Sequence, residues 1–225
     1  LDLYGHHAAA ERYLRSLLLF CRPDGLFFIN YGLPDHGALM MAVCEHYRLT
    51  GDRAWLVETA PQLVKMGDWI LAARQKAIAA DAVRDPLTRG LIRFVPYADY
   101  PNPTFSYYAD SYCCMALREL AAVLADADRA DDAGRFGDAA MAYLRDIRAS
   151  MKAAAFQHEG RRLLPMEPDT RRLLKDGNHQ TGGYYGLVAC MMLEAELLAP
   201  DDPFNLYIVR GLESGGGLLA GVSEF

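Results

Sequence analysis

One short stretch of this chain concentrates side chains that bind and process polar ligands. The segment 97–112 (YADYPNPTFSYYADSY) contains five tyrosines, a phenylalanine, two aspartates and two prolines. Tyrosine rings offer flat apolar faces with a hydroxyl at the tip, and carboxylates offer acceptors and acid or base groups. Together they suit a sugar ring, which has an apolar face and an edge of hydroxyls. The alternative is a packed loop in which Asp110 only begins a helix.

The prolines of this segment separate it from the helix that follows. Pro101 and Pro103 disfavour helical backbone at and before their own positions. An apolar helical pattern then extends from Ser106 to Leu124. The sequence therefore predicts an aromatic, acidic loop that leads into a helix N-terminus.

Composition limits the partners of the chain. Its 225 residues are 52% apolar, enough for one sizeable domain with a real core. A net charge of −6 and the lack of a basic face argue against nucleic acid as a partner. There is no apolar run of 18 residues, so no membrane span is expected.

The cysteines and the chain ends bear on the origin of the chain. None of the five cysteines forms a CxxC pair, which favours free thiols in a reducing compartment and hence the cytoplasm. No signal peptide is present, although one already removed would leave no trace. Because the chain begins at Leu1 and stops just after a glycine run, we expect a fragment of a longer protein.

The elements that must position these side chains are helices of two alternating kinds. Amphipathic helices with one wet face are predicted at 7–20, 53–76, 132–153 and 203–213, with a new helix beginning at Pro61 inside the second. The wet face of this second helix is predicted to carry Lys65, Asp68, Arg74 and Lys76. Helices that are apolar on all sides, and so buried, are predicted at 35–48, 106–124 and 182–193. The sequence therefore predicts an all-α fold of antiparallel helical hairpins packed side by side.

The connections between these helices alternate in length. Links from a buried helix to the next amphipathic helix are short, at about 49–53, 125–131 and 199–202. Links in the other direction are long, at 21–34, 77–105 and 155–180. If neighbouring helices are antiparallel, all the long links lie at one end, where function tends to sit.

That end gathers most of the polar and aromatic candidates. It would also hold the N-termini of the buried helices, with their unpaired N–H groups. The residues expected there are Tyr31, Asp35, His36, Tyr97, Asp99, Tyr100, Tyr107, Tyr108, Asp110, Glu167, Asp169, His179, Tyr184 and Tyr185. The opposite end carries an acidic cluster, Asp126, Asp128, Asp131 and Asp132, which we interpret as a solvated turn.

This layout resembles the six-hairpin glycosidase superfamily, whose members are (α/α)6 toroids. The resemblance rests on the helix start Pro34–Gly37 with the turn Tyr47–Trp55, on the loop Gly90–Pro96 leading to Tyr107–Asp110, and on Leu163-Leu164-Pro165. It implies a single toroid domain over 1–225, incomplete at both ends because a full ring has twelve helices and this chain about seven. It also implies a glycoside hydrolase, and relatives on the same fold include polysaccharide lyases and sugar epimerases.

Glycoside hydrolysis needs two carboxyl groups, one as the acid and one as the base or nucleophile. Asp35 and Asp110 lie at predicted helix N-termini, where the dipole favours the ionised form of a base. Asp99 and Glu167 have more apolar neighbours and suit the proton donor. The alternatives are plain N-capping for the first pair and solvated loop positions for the second.

The remaining candidates bind substrate or serve other chemistries. Tyr31, His36, Tyr97, Tyr100, Tyr107, Tyr108, His179 and Tyr184 are the expected substrate-binding residues. His36 or His179 with a tyrosine would serve proton abstraction in an epimerase or lyase. The scattered histidines form no metal motif, so neither a metal nor a cofactor is expected. A helical-repeat scaffold that binds without chemistry is the remaining alternative.

Overall fold

Helices make up most of the part of the chain that the computed structural model describes. The described residues are 1–29, 32–81, 83–96, 102–165, 167–170, 173, 193, 195–214, 218–219 and 222–223. Their α-helices are α1 (His7–Leu18), α2 (Leu33–Thr50), α3 (Arg53–Ala80), α4 (Tyr107–Leu124), α5 (Ala130–Ala154) and α6 (Pro203–Ser214). Short 3-10 helices cover Asp2–Tyr4 and Ala125–Ala127. The predicted all-α class is confirmed, whereas residues 182–192 of the third predicted buried helix lie outside the described part.

Short antiparallel strand pairs occur where the sequence suggested plain loops. These pairs are β1 (Arg93–Phe94) with β2 (Thr104–Phe105), β3 (Phe156–His158) with β4 (Arg161–Leu163), and β5 (Leu218–Leu219) with β6 (Val222–Ser223). The turn between β3 and β4 places Glu159 at φ 49° and Gly160 at φ 76°. Two consecutive residues with positive φ match the twist of a tight hairpin.

Helix α3 passes through Pro61 without a break, so the prediction that a new helix begins there is wrong. Pro61 cannot donate a hydrogen bond to the carbonyl of Val57, but Val57 is 45% exposed and water can satisfy that carbonyl. The helix begins at Arg53, directly after Asp52, and the Asp52 side chain accepts a 3.0 Å hydrogen bond from the Trp55 amide. This is an ordinary N-cap.

Helices α2 and α4 form the centre of the core, as their apolar sequences predict. Their N-terminal turns touch backbone to backbone, because a Cβ on Gly37 would lie 2.6 Å from the carbonyl of Tyr112. Their C-terminal turns are joined by an ion pair between Arg48 and Glu119. The two helices therefore run parallel.

Helices α1, α3 and α5 run in the opposite direction, on the outside of this pair. Arg15 of α1 contacts Glu58 of α3, and Cys21, three residues after the end of α1, contacts Met66 further along α3, so these two helices run in the same direction. Helices α3 and α5 are linked through Asp68 with Arg135 and then Arg74 with Asp146. His46 near the end of α2 meets Trp55 near the start of α3, and His36 near the start of α2 reaches the Met66 carbonyl further along α3. These two helices are therefore antiparallel.

The first two long connections lie at the same end of the described structure. The Leu33 amide, at the start of α2, donates a 2.9 Å hydrogen bond to the Val95 carbonyl of the second connection. Phe28 of the first connection packs edge-on against Phe94 of the second, with ring centres 5.7 Å apart. The third connection begins beside them, because Ser150 near the end of α5 donates to the Leu87 carbonyl. We call this the long-connection end, and the end with the turns at Gly51 and Ala125–Ala127 the short-turn end.

Candidate functional site

Among the candidate catalytic acids that the structure describes, Asp35 is less buried than Asp110 and Glu167. It lies in the first turn of α2, after Gly32, whose φ of 121° favours glycine, and after Pro34. The Asp35 side chain is half-buried, and its Oδ2 atom is buried without a hydrogen-bond partner. Burial raises the pKa of Asp35 from 3.8 to about 6. A carboxyl group of this kind keeps a proton to donate at mildly acidic pH.

Asp110 is completely buried in the first turn of α4. Its Oδ1 atom accepts a 2.9 Å hydrogen bond from the Ile92 amide and another from the Tyr143 hydroxyl, whereas its Oδ2 atom has no partner. Burial raises the pKa of Asp110 to about 7, and hydrogen bonds from Tyr143 and Ile92 oppose that rise. Desolvation therefore outweighs the helix dipole at both aspartates, and the expectation that their position at a helix N-terminus favours the ionised form is wrong.

The two tyrosines that precede Asp110 are also packed inside. Tyr107 is 1% exposed, and its hydroxyl lies 2.8 Å from the Ser150 Oγ atom. Tyr108 is 8% exposed and packs edge-on against Tyr112, with ring centres 5.3 Å apart. Both were predicted to bind substrate, and the structure places both within the helix packing.

His36 has both ring nitrogens engaged by backbone groups. Its Nδ1 atom accepts a 3.0 Å hydrogen bond from the Phe27 amide, and its Nε2 atom lies 3.1 Å from the Met66 carbonyl. This pairing fixes a neutral tautomer with the proton on Nε2. Burial lowers the pKa of His36 to about 4. The imidazole thus links the first connection to α3 and has no free nitrogen for a substrate.

The third connection brings carboxylates towards the same region. Glu167 is 5% exposed, and its backbone carbonyl accepts a hydrogen bond from the Thr170 amide. Asp169 is exposed. Burial is the main cause of the raised pKa of the Tyr107 hydroxyl, and the charges of Asp110 and then Asp169 add to it. Asp169 is therefore electrostatically coupled to the first turn of α4. The other predicted site residues, Tyr31, Tyr97, Asp99, Tyr100, His179, Tyr184 and Tyr185, lie outside the described residues.

A buried polar network around Arg74 was missed at the level of sequence. Arg74 was assigned to a wet face, but it is 6% exposed, which makes that assignment wrong. Its guanidinium pairs with Asp146, donates 3.0 Å from Nε to the Gly90 carbonyl and lies 4.0 Å above the Tyr143 ring. These partners come from two distant parts of the chain, the connection at Gly90 and helix α5, so no local spacing reveals them.

Among the described residues, no group of three His, Cys, Asp or Glu side chains is arranged to hold a metal ion. Within the same residues, no helix combines the length and apolar character needed to cross a membrane.

Three comparisons with known proteins were made for this chain. Neither the family descriptions, nor the curated proteins, nor the solved structures gave a match.

Proposed function

We propose that this chain forms part of a glycoside hydrolase of the α/α-toroid type, with Asp35 as its general acid. The observation that carries the proposal is a half-buried carboxyl group with a raised pKa, placed where two long connections meet. The alternating helix directions favour the arrangement of helical hairpins that a toroid requires. The substrate is an oligosaccharide or polysaccharide.

In this proposal, protonated Asp35 donates its proton to the glycosidic oxygen as the bond to the anomeric carbon breaks. A second carboxylate takes a proton from the attacking water or adds directly to the sugar. Asp99 and Glu167 are the remaining candidates for that second group. The roles are thus the reverse of those expected from helix dipoles alone, because burial gives Asp35 the raised pKa that an acid requires.

An epimerase or lyase on the same fold is the first alternative. It needs a base that reaches the sugar. Both nitrogens of His36 are occupied by backbone partners, so His179 alone remains for that role among the histidines first considered. This alternative is therefore the weaker one.

A scaffold that binds without chemistry is the second alternative. The burial of Asp110, Tyr107 and His36 favours it, because residues with catalytic chemistry would then serve packing alone. It predicts sugar binding without turnover.

The test is the variant Asp35→Asn, assayed on unactivated oligosaccharides by reducing-end detection and on dinitrophenyl glycosides. Loss of a general acid should lower turnover of the oligosaccharide by about 10²- to 10⁴-fold. Turnover of the dinitrophenyl glycoside should fall far less in the variant, because its leaving group departs without needing a proton. The alkaline limb of the wild-type pH–rate profile, near pH 6, should disappear in the variant.

The matched control is Asp52→Asn, which changes an aspartate at a helix N-terminus of the short-turn end and keeps an acceptor for the Trp55 amide. Its turnover should equal that of the wild type. Equal losses on both substrates for Asp35→Asn would contradict the acid role. Sugar binding by the wild type without any turnover would favour the scaffold instead.

A further inference from the structure

Three buried side chains from three different helices hold the connection 83–96 at three points. Arg74 of α3 donates to the Gly90 carbonyl at 3.0 Å, and Asp110 of α4 accepts from the Ile92 amide at 2.9 Å. Ser150 of α5 donates to the Leu87 carbonyl. Arg74 is 6% exposed and the other two side chains are fully buried. The connection is therefore bound to the core through its own backbone.

Two of these anchors, Asp110 and Arg74, are also joined to each other through Tyr143. The Tyr143 hydroxyl donates to Asp110, and the Arg74 guanidinium lies 4.0 Å above the Tyr143 ring. Arg74 pairs with Asp146. Gly90 packs so closely against Asp146 that a Cβ added to Gly90 would lie 2.3 Å from the Asp146 carboxylate. Gly90 has a φ of 74°, which also favours glycine. Asp110 thus belongs to one continuous buried network.

The anchored connection leads directly to the start of α2. Just after Ile92, Phe94 packs edge-on against Trp69 of α3, with ring centres 5.7 Å apart. The next residue, Val95, accepts the 2.9 Å hydrogen bond from the Leu33 amide. Leu33 is the first residue of α2, and Asp35 follows two positions later. The position of the Asp35 backbone therefore depends on where the connection is held.

We propose that Asp110 is a positioning residue, which fixes the connection 83–96 and through it the first turn of α2 that carries Asp35. Asp110 is 0% exposed, so it acts through the Ile92 amide and the Tyr143 hydroxyl and does not touch the sugar. The effect on turnover rests on the proposed function of Asp35. The effect on the backbone does not.

The test compares Asp110→Asn with Asp110→Ala. Asparagine keeps an oxygen that accepts from Ile92 and Tyr143, whereas alanine keeps none. Amide hydrogen exchange at Ile92 and Leu33 should accelerate in Asp110→Ala and stay near the wild-type rate in Asp110→Asn, with the Leu63 amide of α3 as the internal reference. Turnover should fall about 10- to 100-fold in Asp110→Ala through misplacement of the acid, and asparagine should restore it.

Two outcomes would overturn the proposal. A loss of kcat in Asp110→Asn as large as in Asp35→Asn, with KM and amide exchange unchanged, would mean that the Asp110 carboxyl takes part in the reaction. Unchanged exchange at Leu33 when exchange at Ile92 accelerates would mean that the connection does not position α2. If the alanine variant fails to fold, Tyr143→Phe replaces it, and the same acceleration at Ile92 and Leu33 is expected in smaller measure.

The two proposals fail separately. Absence of glycoside turnover in the wild type contradicts the proposed function, yet the exchange rates at Ile92 and Leu33 still test the positioning role. The converse result is turnover that requires Asp35, together with an exchange rate at Leu33 that does not change when Asp110 is replaced. That result would support the proposed function and contradict the positioning role of Asp110.

Discussion

At the short-turn end Asp128 and Asp132 lie at or near the surface beside arginines, whereas at the long-connection end Asp35 is half-buried and Asp110 is fully buried. Asp128 is 83% exposed and pairs with Arg53, which also donates a 2.8 Å hydrogen bond to the Asp126 carbonyl. Asp132 is held between Arg129 and Arg135, and these hydrogen bonds, that from Arg129 above all, lower its pKa. Burial has the opposite effect on Asp35 and Asp110 at the other end, where it raises both pKa values.

The opposite pKa shifts at the two ends show which effect determines the charge of an aspartate near a helix terminus. A helix dipole contributes about 0.3–1 kcal/mol at an exposed N-terminus, which changes a pKa by less than about one. Burial takes Asp35 from 3.8 to about 6 and Asp110 to about 7. Desolvation is therefore the larger effect on Asp35 and Asp110, whereas hydrogen bonding from arginine is the larger effect on Asp132.

The largest predicted effect on stability compares an arginine from each region. Arg74→Met removes a buried guanidinium and leaves the Gly90 carbonyl and Asp146 without their partner. We expect the free energy of unfolding to fall by about 3 kcal/mol, as when one member of a buried pair is removed. Arg53→Met breaks an exposed pair with Asp128, for which a loss of about 0.2–1 kcal/mol is typical.

Chemical denaturation of both variants at low and high salt measures this contrast. Salt should shrink the loss in Arg53→Met, because exposed charges are screened, and should leave the loss in Arg74→Met nearly unchanged. Equal losses in the two variants would remove the distinction between the two ends.

The second prediction uses pH to isolate Asp110. Its folded pKa of about 7 lies above the ordinary value of 3.8, so the folded state holds a proton that the unfolded state has lost. The stability from this group is complete below pH 3.8 and is lost as pH rises towards 7. The stability of the wild type relative to Asp110→Asn should thus fall by on the order of 2 to 3 kcal/mol between pH 5 and pH 7.

The measured quantity is the difference in the free energy of unfolding between the wild type and Asp110→Asn, because other groups also titrate in this pH range. Asp35 acts in the same direction as Asp110, up to its pKa of about 6. His36 acts in the opposite direction, since its folded pKa of about 4 lies below its ordinary 6.5. Both groups cancel in the comparison with Asp110→Asn. A difference that stays constant between pH 5 and pH 7 would show that Asp110 is ionised in the folded protein.

Local sequence patterns were enough to predict the six α-helices of the described residues, apart from the helix start expected at Pro61. The apolar sequences of α2 and α4 predicted burial, and the alternation of link lengths predicted that the first two long connections meet, as Leu33 and Val95 do. Both inferences depend only on the 3.6-residue period and on the antiparallel packing of neighbours. The lengths of these helices differ from the prediction by only a few residues at either end.

The surroundings of the polar residues were harder to predict. Arg74 looked solvated because its partners, Gly90, Tyr143 and Asp146, lie 16 to 72 positions away. His36 looked like a substrate ligand because nothing local reveals that Phe27 and Met66 supply backbone partners to its ring. Charge, burial and hydrogen bonding of a side chain are tertiary properties, so residue type and helix position alone assigned them poorly.

The smallest predicted effect concerns two glycines, each near the start of a helix. A Cβ on Gly37 of α2, at the long-connection end, would lie 2.6 Å from the backbone carbonyl of Tyr112, which cannot turn aside as a side chain would. A Cβ on Gly134 of α5, at the short-turn end, would meet nothing within 4 Å. The same substitution to alanine should therefore have opposite effects on stability at the two ends.

Alanine favours a helix over glycine by about 1 kcal/mol. Gly134→Ala should gain about 0.5–1 kcal/mol in thermal or chemical unfolding. Gly37→Ala should lose about 1–3 kcal/mol, because overpacking forces α2 and α4 apart. A gain in both variants would mean that α2 and α4 do not touch through Gly37 and Tyr112. Since Asp35 lies two residues before Gly37, that result would also remove the parallel contact that sets the first turn of α2 beside that of α4.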